Sequence, residues 1–338
     1  MQVNFSQIQA ITLGAARVEQ QGDGIHFYRF TQAQEELYKE RSADFYIKTF
    51  STSGVRLRFR TDSRTLGLCV TVRPGCSRSY FSFDVFVDGK MVDSLNNFTG
   101  MNLPHDYTKM EFPLGDFSKK FQLGAGEKEV CIYFPWSVNA TLETLELEDG
   151  AFVTPVKPQQ KILCFGDSIT HGYDALHPSN KYISKLADFL EAEEYNKAIG
   201  GEIFWPDLAE TRENFEPDYI TVAYGTNDWN NCSREAFVDN CTIFYRNLHM
   251  NYPDTPIYAI TPIWRKEMAE ARPFGAFRDV AGIIRRQVAA FDHITVIDGF
   301  DFVPREERLY ADLRLHPNDA GFAAYFEGLK HKLVNCCD

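Results

Sequence analysis

The sequence lacks the features that mark several large classes of protein. No apolar run approaches the roughly 20 residues that a membrane-spanning helix needs. The first ten residues have none of the basic-then-apolar layout of a secretion signal. The net charge is −12, so there is no basic excess to neutralise the phosphates of nucleic acid or an anionic membrane. We therefore expect a cytoplasmic protein with no nucleic-acid and no membrane partner.

The common metal and cofactor motifs are also missing. The 8 cysteines include no C-x-x-C pair and have no accompanying histidine at zinc-site spacing. The chain has no H-E-x-x-H, no P-loop, and no G-x-G-x-x-G after a predicted strand. We expect no metal and no cofactor. The cysteines are expected to stay reduced, as they do in a cytoplasm.

What the chain does contain is two parts with different patterns of apolar residues. From about residue 27 to 150, short stretches that alternate apolar and polar residues, such as 55–60, are separated by turn sequences such as Asp88-Gly89. Many short strands of this kind predict a β-sandwich of the jelly-roll type over residues 1–155.

The pattern changes after the two prolines at 155 and 158. Beyond them, stretches of strand character alternate with amphipathic helical stretches. The predicted strands cover residues 161–165, 195–198, 219–224, 257–261 and 294–297. Short strands joined by helices predict an α/β domain of three layers over residues 156–338, with a five-stranded parallel sheet flanked by helices.

Four short polar motifs lie at or beyond predicted strand ends in this second part. They cover residues 166–168, 196–201, 225–228 and 316–319. Because ligands bind at the carboxyl edge of open parallel sheets, we expect the four motifs to converge on one site. A serine at a strand-to-helix turn, such as Ser168, is either a helix N-cap or a nucleophile.

In this order, the four motifs resemble those of the SGNH hydrolases, the GDSL esterase/lipase superfamily, named for a Ser, Gly, Asn and His in four blocks. The resemblance implies a flavodoxin-like three-layer fold for just over half of the chain. It implies that Ser168 is the nucleophile and His316 the general base. It further implies an oxyanion hole made by the backbone N–H groups of Ser168 and Gly201 and the side-chain amide of Asn227.

The acid partner of His316 is where the sequence departs from the family, which usually has Asp three residues before the His. Arg314 stands at that position, and arginine offers only hydrogen-bond donors. Asp312, four residues before His316, can serve if the backbone bulges locally, and we favour this arrangement. The alternative is a Ser–His dyad oriented by a backbone carbonyl, as in some carbohydrate esterases.

Two neighbouring residues offer alternatives to the implied roles. Gly200 could supply the oxyanion-hole N–H in place of Gly201. His171, three residues after Ser168, is the only rival to His316 as the base. We expect His171 to point toward solvent or substrate.

Aromatic and polar residues in the predicted loops favour a sugar as the substrate. Trp205, Trp229 and Trp264, with Arg265, could offer stacking faces and polar partners, although each tryptophan could equally be buried. A β-sandwich before an SGNH domain is similar to acetylxylan and other carbohydrate acetylesterases. We therefore expect a serine esterase that removes small acyl groups, O-acetyl groups in particular, from a sugar or oligosaccharide.

Two other functions stay open at this stage. The chain could hydrolyse short-chain lipid-acyl esters or thioesters. It could also be a non-catalytic carbohydrate-binding protein, for which the departure at Arg314 is the only support. The first part of the chain could bind sugar, shield the site, or assemble the protein into a homo-oligomer.

Overall fold

The computed structural model describes residues 1–22 and 24–336, and the chain divides into two compact units. The first unit comprises Met1–Gln159 together with Leu176–Ser179 and Glu193–Tyr195. The second comprises Gln160–Ala175, Asn180–Ala192 and the chain from Asn196 onward. In the described part of the chain, every helix is too short or too polar to cross a bilayer.

The first unit is built mainly from antiparallel strands. Its strands are β1 (Thr12–Leu13), β2 (Arg17–Gln21), β3 (Gly24–Tyr28), β4 (Arg56–Thr61), β5 (Thr65–Pro74), β6 (Ser82–Val87), β7 (Lys90–Asn96), β8 (Gly115–Gln122), β9 (Lys128–Tyr133), β10 (Val138–Leu147) and β11 (Thr154–Pro155). Its helices are α1 (Phe5–Ile11), α2 (Gln32–Arg41) and α3 (Ala43–Thr49). One sheet has the order β1-β4-β9-β6-β7, with β11 also paired to β4, and the other has the order β2-β3-β10-β5-β8.

Alternation along the strands builds the core of the first unit. In β5, the side chains of Leu66, Leu68, Val70 and Val72 are buried, and the residues between them are partly exposed. Successive side chains of a strand point to opposite faces, so this period-two pattern places one face of β5 in the core. Apolar residues of both sheets form one buried cluster. The predicted β-sandwich is confirmed, and helices α1, α2 and α3 accompany its two sheets.

The turn between β6 and β7 shows why the sequence folds this way locally. Val87 and Lys90 pair across the hairpin, so Asp88 and Gly89 alone form its loop. Both have positive φ, 48° and 74°. A two-residue type I′ turn needs positive φ at both central positions, which Asp-Gly tolerates well.

Two short segments from beyond residue 160 belong to the first unit by their contacts. The buried Asp84 carboxylate accepts a hydrogen bond of 2.7 Å from the Ser179 hydroxyl and lies 2.7 Å from Nδ1 of His177. Arg56 and Glu194, both buried, form an ion pair of 3.2 Å. Buried charges are tolerated when they are paired in this way, so both segments are held by specific partners.

The second unit is an α/β structure. Its sheet contains β12 (Gln160–Gly166), β13 (Ala192–Asn196), β14 (Tyr219–Ala223), β15 (Ile257–Ile260) and β16 (Ile294–Ile297). Its helices are α4 (Ser168–His171), α5 (Tyr182–Phe189), α6 (Pro206–Glu210), α7 (Thr226–Asn231), α8 (Arg234–Asn251), α9 (Asp279–Val288) and α10 (Asp319–Cys336). The strand order is β13-β12-β14-β15-β16. The predicted five-stranded parallel sheet flanked by helices is confirmed.

The register of this sheet determines where the polar motifs lie. Gly166, the last residue of β12, pairs in parallel with Ala223, the last residue of β14. Helix α4 begins at Ser168 and helix α7 begins at Thr226, so both helices start just beyond the same edge of the sheet. Parallel register therefore brings the serine and asparagine motifs to one side of the second unit.

Candidate active site

Ser168 is the first residue of α4, immediately beyond β12. Asp167, not Ser168, is the N-cap, and its carboxylate accepts a hydrogen bond of 2.9 Å from the backbone N–H of Ile169. The Ser168 hydroxyl is therefore not needed as a cap. Its backbone N–H belongs to the first turn of the helix, where N–H groups have no partner within the helix.

The side chains of Ser168, His316 and Asp312 form a continuous hydrogen-bonded chain. Nε2 of His316 lies 2.8 Å from the Ser168 hydroxyl oxygen. On the other side of the ring, Nδ1 lies 2.8 Å from Oδ2 of Asp312. A neutral imidazole with its proton on Nδ1 would donate to Asp312 and accept from Ser168. This arrangement can take a proton from a serine hydroxyl while a carboxylate holds the ring.

A backbone feature explains how Asp312 reaches His316 from four residues away. Leu313 has a φ of +62°, in the left-handed region that a bulky residue rarely adopts. Oδ1 of Asp312 accepts hydrogen bonds from three backbone N–H groups, those of Arg314 (3.0 Å), Leu315 (2.8 Å) and His316 (3.0 Å). The loop therefore wraps around one carboxylate oxygen and leaves Oδ2 directed at the imidazole.

Hydrogen bonding keeps the Asp312 carboxylate ionised. Burial on its own would raise the pKa of Asp312, but the hydrogen bond and charge of His316, together with the backbone N–H groups, hold this pKa well below its usual range. Arg314, the residue at the usual acid position, is exposed beside this carboxylate, and its Nε lies 3.7 Å from Oδ2 of Asp312. Arg314 also pairs with Glu267 at 3.1 Å.

The two glycines of the second motif differ in their contacts. The Gly200 N–H donates a hydrogen bond of 3.2 Å to Nδ1 of His171, and is therefore already engaged. Gly201 has a φ of +90° and is exposed, so it is better placed than Gly200 to offer its N–H to a ligand. His171 is fully buried beneath this turn, and the expectation that it points to solvent or substrate is wrong. Its ring is used as a hydrogen-bond acceptor within the protein.

Asn227 lies in the first turn of α7, and its amide is oriented by the backbone. One N–H of the side chain donates a hydrogen bond of 2.9 Å to the carbonyl of Glu202. A side-chain amide has two N–H donors, so the second can serve a ligand oxygen. The carbonyl that orients Asn227 comes from the residue after Gly201, which couples the positions of two predicted oxyanion-hole donors.

Two carboxylates next to the motif residues, Asp167 and Asp228, are buried. Burial raises the pKa of Asp228 to about 7, against an opposing hydrogen bond from the Phe204 N–H, and the nearby Asp167 and Glu202 raise it further. Burial likewise raises the pKa of Asp167 to about 6, opposed by the Ile169 N–H. By accepting the hydrogen bond from Phe204, Asp228 ties the loop after β13 to α7.

The four residues predicted to bind substrate fall into two groups. Trp229 is only 1% exposed, its indole N–H donates to the Gly275 carbonyl at 2.9 Å, and the buried Arg265 guanidinium lies 5.1 Å from its ring. These two side chains support the loop and present no face for a sugar to stack on. Trp205, at the start of α6, is also buried, with 9% exposure, whereas Trp264 is partly exposed beside Tyr310.

Sequence reasoning missed one residue beside the histidine altogether. Oδ2 of the buried Asp174 lies 3.4 Å from Nδ1 of His316. Asp174, Asp312 and His316 are the one group within the described residues whose ligand atoms are close enough to hold a metal ion. Because Nδ1 of His316 already contacts Asp312, we ascribe this group to orientation of the ring. No sequence motif marks Asp174.

Comparisons with known proteins agree with the fold and with the motifs. The model of the family described as GDSL-like Lipase/Acylhydrolase matches residues 164–324. Among curated proteins, none matches the chain by sequence.

Three of the most similar solved structures span nearly the whole chain. A salicylyl-acyltransferase, SsfX3, from a tetracycline biosynthetic pathway has a TM-score of 0.80 and 20% identity, over 96% of this chain and 94% of that chain. A putative GDSL-like lipase from Bacteroides ovatus has a TM-score of 0.75 and 19% identity, over 97% and 96%. A family two carbohydrate esterase from Cellvibrio japonicus has a TM-score of 0.65 and 18% identity, over 97% and 96%.

At these identities the solved structures establish the shared fold, and the family model adds the sequence motifs. The matched range contains Ser168, Gly201, Asn227 and His316. Residues 164–324 of the second unit therefore match the GDSL-like lipase/acylhydrolase family, and this match supports a carboxylic ester hydrolase.

Proposed function

We propose that this protein is a serine esterase that hydrolyses small acyl esters, O-acetyl esters of a sugar or oligosaccharide in particular. The observation that carries the proposal is the chain of contacts from Asp312 through His316 to the Ser168 hydroxyl, with 2.8 Å at each step. Catalytic serine and histidine side chains are expected within such a distance, with a third group orienting the base.

In the proposed reaction, Oγ of Ser168 attacks the ester carbonyl carbon while Nε2 of His316 accepts the hydroxyl proton. The negative charge on the carbonyl oxygen would be stabilised by the N–H groups of Ser168 and Gly201 and by the Asn227 amide. The bond to the alkoxy oxygen then breaks, and the leaving alcohol takes the proton from His316. Water attacks the acyl-serine by the same route in reverse, releasing the carboxylic acid and restoring Ser168.

Two observations support a carbohydrate ester as the substrate. The Cellvibrio japonicus structure, which matches this chain over both units, is a carbohydrate esterase. Trp264 is partly exposed, so it could stack on a sugar ring.

The decisive experiment compares hydrolysis of p-nitrophenyl acetate, butyrate and octanoate by the wild type, Ser168→Ala and Ser118→Ala. Ser118 lies exposed on β8, so its variant is a matched control for loss of a hydroxyl. We expect rates that fall with acyl length, near wild-type activity in the control, and loss of roughly 10⁴-fold or more in Ser168→Ala. Measuring acetate release from acetylated oligosaccharides then tests whether the alcohol part of the substrate is a sugar.

The other functions left open by the sequence predict different results. A preference for octanoate would favour a lipid-acyl substrate and would contradict the sugar deacetylase. If the wild type hydrolyses no ester but binds oligosaccharides, the protein is a binding protein. In that case Ser168→Ala should bind as the wild type does.

A second candidate reaction is transfer of the acyl group to an alcohol rather than to water. The observation that favours it is the 0.80 TM-score, over 96% of this chain, to an acyltransferase. Both reactions share the acyl-serine and differ only in what attacks it. Adding glycerol or a free sugar during turnover distinguishes them, because a transferase converts the acyl group into a new ester and releases less free acid.

A further inference from the structure

We infer that Asp174 is a second carboxylate that positions His316, so that two acids, not one, hold the base of this site. The part of the inference that concerns turnover rests on the proposed function. The geometry itself concerns only the imidazole and its neighbours. Asp174 is a positioning residue because it acts on the substrate through His316.

The distances place two carboxylates around one ring nitrogen. Nδ1 of His316 lies 2.8 Å from Oδ2 of Asp312 and 3.4 Å from Oδ2 of Asp174. Asp174 is fully buried, whereas the Asp312 side chain is 14% exposed. An N–H on Nδ1 therefore faces a solvent-accessible carboxylate and a buried one at the same time.

The backbone turn after Ser168 brings Asp174 next to Nδ1 of His316. Helix α4 ends at Gly172, whose φ is 111°, and the Tyr173 N–H returns a hydrogen bond of 2.9 Å to the Ser168 carbonyl. The Ala175 N–H then donates to the Gly172 carbonyl at 3.1 Å, and Asp174 itself has a φ of +72°. Aspartate is among the few residues that adopt this left-handed conformation readily. One short segment thus carries the serine at its start and the carboxylate at its end.

The ring is also held from the side. The Tyr173 ring lies 5.7 Å from the His316 ring at an angle of 32°, so it packs against the imidazole. Asp174 follows Tyr173 directly, and the two residues fix the plane of the ring and the direction of Nδ1 together.

The charges around His316 indicate what a second carboxylate adds. The negative charge of Asp312 also interacts with the Arg314 guanidinium and with three backbone N–H groups. The more distant Asp167 also interacts electrostatically with His316. A carboxylate near an imidazolium favours the protonated ring, so Asp174 would strengthen His316 as a base as the Ser168 proton arrives. The Nδ1 proton stays on the ring throughout, and no further proton is transferred.

The test uses the variants Asp174→Asn, Asp312→Asn and the double variant, with kcat and KM measured from pH 4.5 to 9. Asparagine keeps the shape of aspartate and tolerates positive φ at position 174. Asp174→Gly, which also tolerates this φ, serves as a second way to remove the carboxylate. The melting temperatures of all variants show whether a lower kcat results from loss of folded protein.

We expect Asp174→Asn to lower kcat about 3- to 10-fold with little change in KM, and to move the acidic limb of the kcat profile to lower pH. Asp312→Asn should cost about 10²-fold or more. The double variant should lose more than the product of the two single losses, because in each single variant the remaining carboxylate still orients the ring. A purely structural role for Asp174 would leave the pH profile in place.

A measurement that needs no turnover separates this inference from the proposed function. ¹⁵N NMR titration of the His316 imidazole in Asp174→Asn should show a lower pKa than in the wild type, whether or not any ester is cleaved. An esterase whose His316 titration and pH profile are unchanged in Asp174→Asn and Asp174→Gly overturns the inference. A shifted titration in a protein without ester hydrolysis upholds it and refutes the proposed function.

Discussion

Oδ2 of Asp312 lies 2.8 Å from Nδ1 of His316, although the two residues are separated by one position more than in the family pattern. The extra residue is accommodated at Leu313, whose left-handed backbone lets the Asp312 carboxylate accept three successive N–H groups. An acid at this spacing therefore depends on an unusual backbone conformation. The hydrogen bonds to the Asp312 carboxylate offset the strain of the left-handed conformation at Leu313.

The first prediction concerns Leu313. Leu313→Val should lower kcat on p-nitrophenyl acetate by about 10-fold and lower the melting temperature, because a β-branched residue is strongly disfavoured at positive φ. Leu313→Asn should retain most of the activity, because asparagine adopts this conformation more easily. Equal kcat values for the two variants would show that the left-handed conformation does not control the position of Asp312.

The second prediction concerns the Asn227 amide. Asn227→Ala should lower kcat by about 10²–10³-fold with little change in KM, as expected for a donor used mainly in the transition state. The exposed Asn230, three residues later, provides the control, and Asn230→Ala should behave as the wild type. A change in KM alone would instead assign Asn227 to substrate binding.

The third prediction distinguishes the two histidines near Ser168. His316→Asn should abolish turnover, since an amide cannot accept the serine proton and return it. His171→Asn should retain most of the activity, because the amide oxygen can replace Nδ1 as the acceptor for the Gly200 N–H. His171→Leu removes that acceptor from a buried N–H, and kcat should fall about 10-fold. Loss of all activity in His171→Asn would instead point to His171 as the base.

The fourth prediction follows from the pKa of Asp228, which burial raises to about 7. An unfolded aspartate has a pKa of about 3.9, so between these values the folded protein binds a proton that the unfolded chain releases. Stability is therefore lost as the pH rises from about 4 through about 7, and then levels off. Asp228→Asn keeps an oxygen that accepts the hydrogen bond from the Phe204 N–H, and it removes the loss of stability at higher pH.

Thermal unfolding at pH 4.5 and pH 8 checks this prediction. The melting temperature of Asp228→Asn should exceed that of the wild type by about 3 °C or more at pH 8, with a smaller difference at pH 4.5. Asp167 is present in both proteins, but its charge is one of the causes that raise the pKa of Asp228, so the difference reports the two carboxyls as a coupled pair. A difference that does not depend on pH would mean that Asp228 does not titrate as its burial implies.

The fold was predictable because apolar periodicity reports directly on strands and helices. Alternation at Leu66, Leu68 and Val70 marks a sandwich strand, and Asp88-Gly89 marks its hairpin. The convergence of motifs at one sheet edge follows from parallel topology, which the alternation of strands and helices implies.

What the sequence did not reveal depends on side-chain environment. Trp229 and Trp264 are the same residue type in loop motifs, yet one is buried under Arg265 and the other is partly exposed. His171 is buried and accepts a hydrogen bond from the Gly200 N–H, a contact that no pattern of residues records. Asp174 is far from His316 in the sequence and contacts it from a turn whose left-handed residue is an aspartate instead of the usual glycine.

The pairings of Arg56 with Glu194 and of Asp84 with Ser179 have a consequence for exchanging parts among relatives. The residues that complete the interior of the sandwich unit are encoded within the sequence of the hydrolase unit. A cut after residue 159 would separate Arg56 from Glu194, and breaking a buried ion pair typically costs about 3–5 kcal/mol. A functional chimera therefore needs residues 176–179 and 193–195 to travel with the sandwich that they serve.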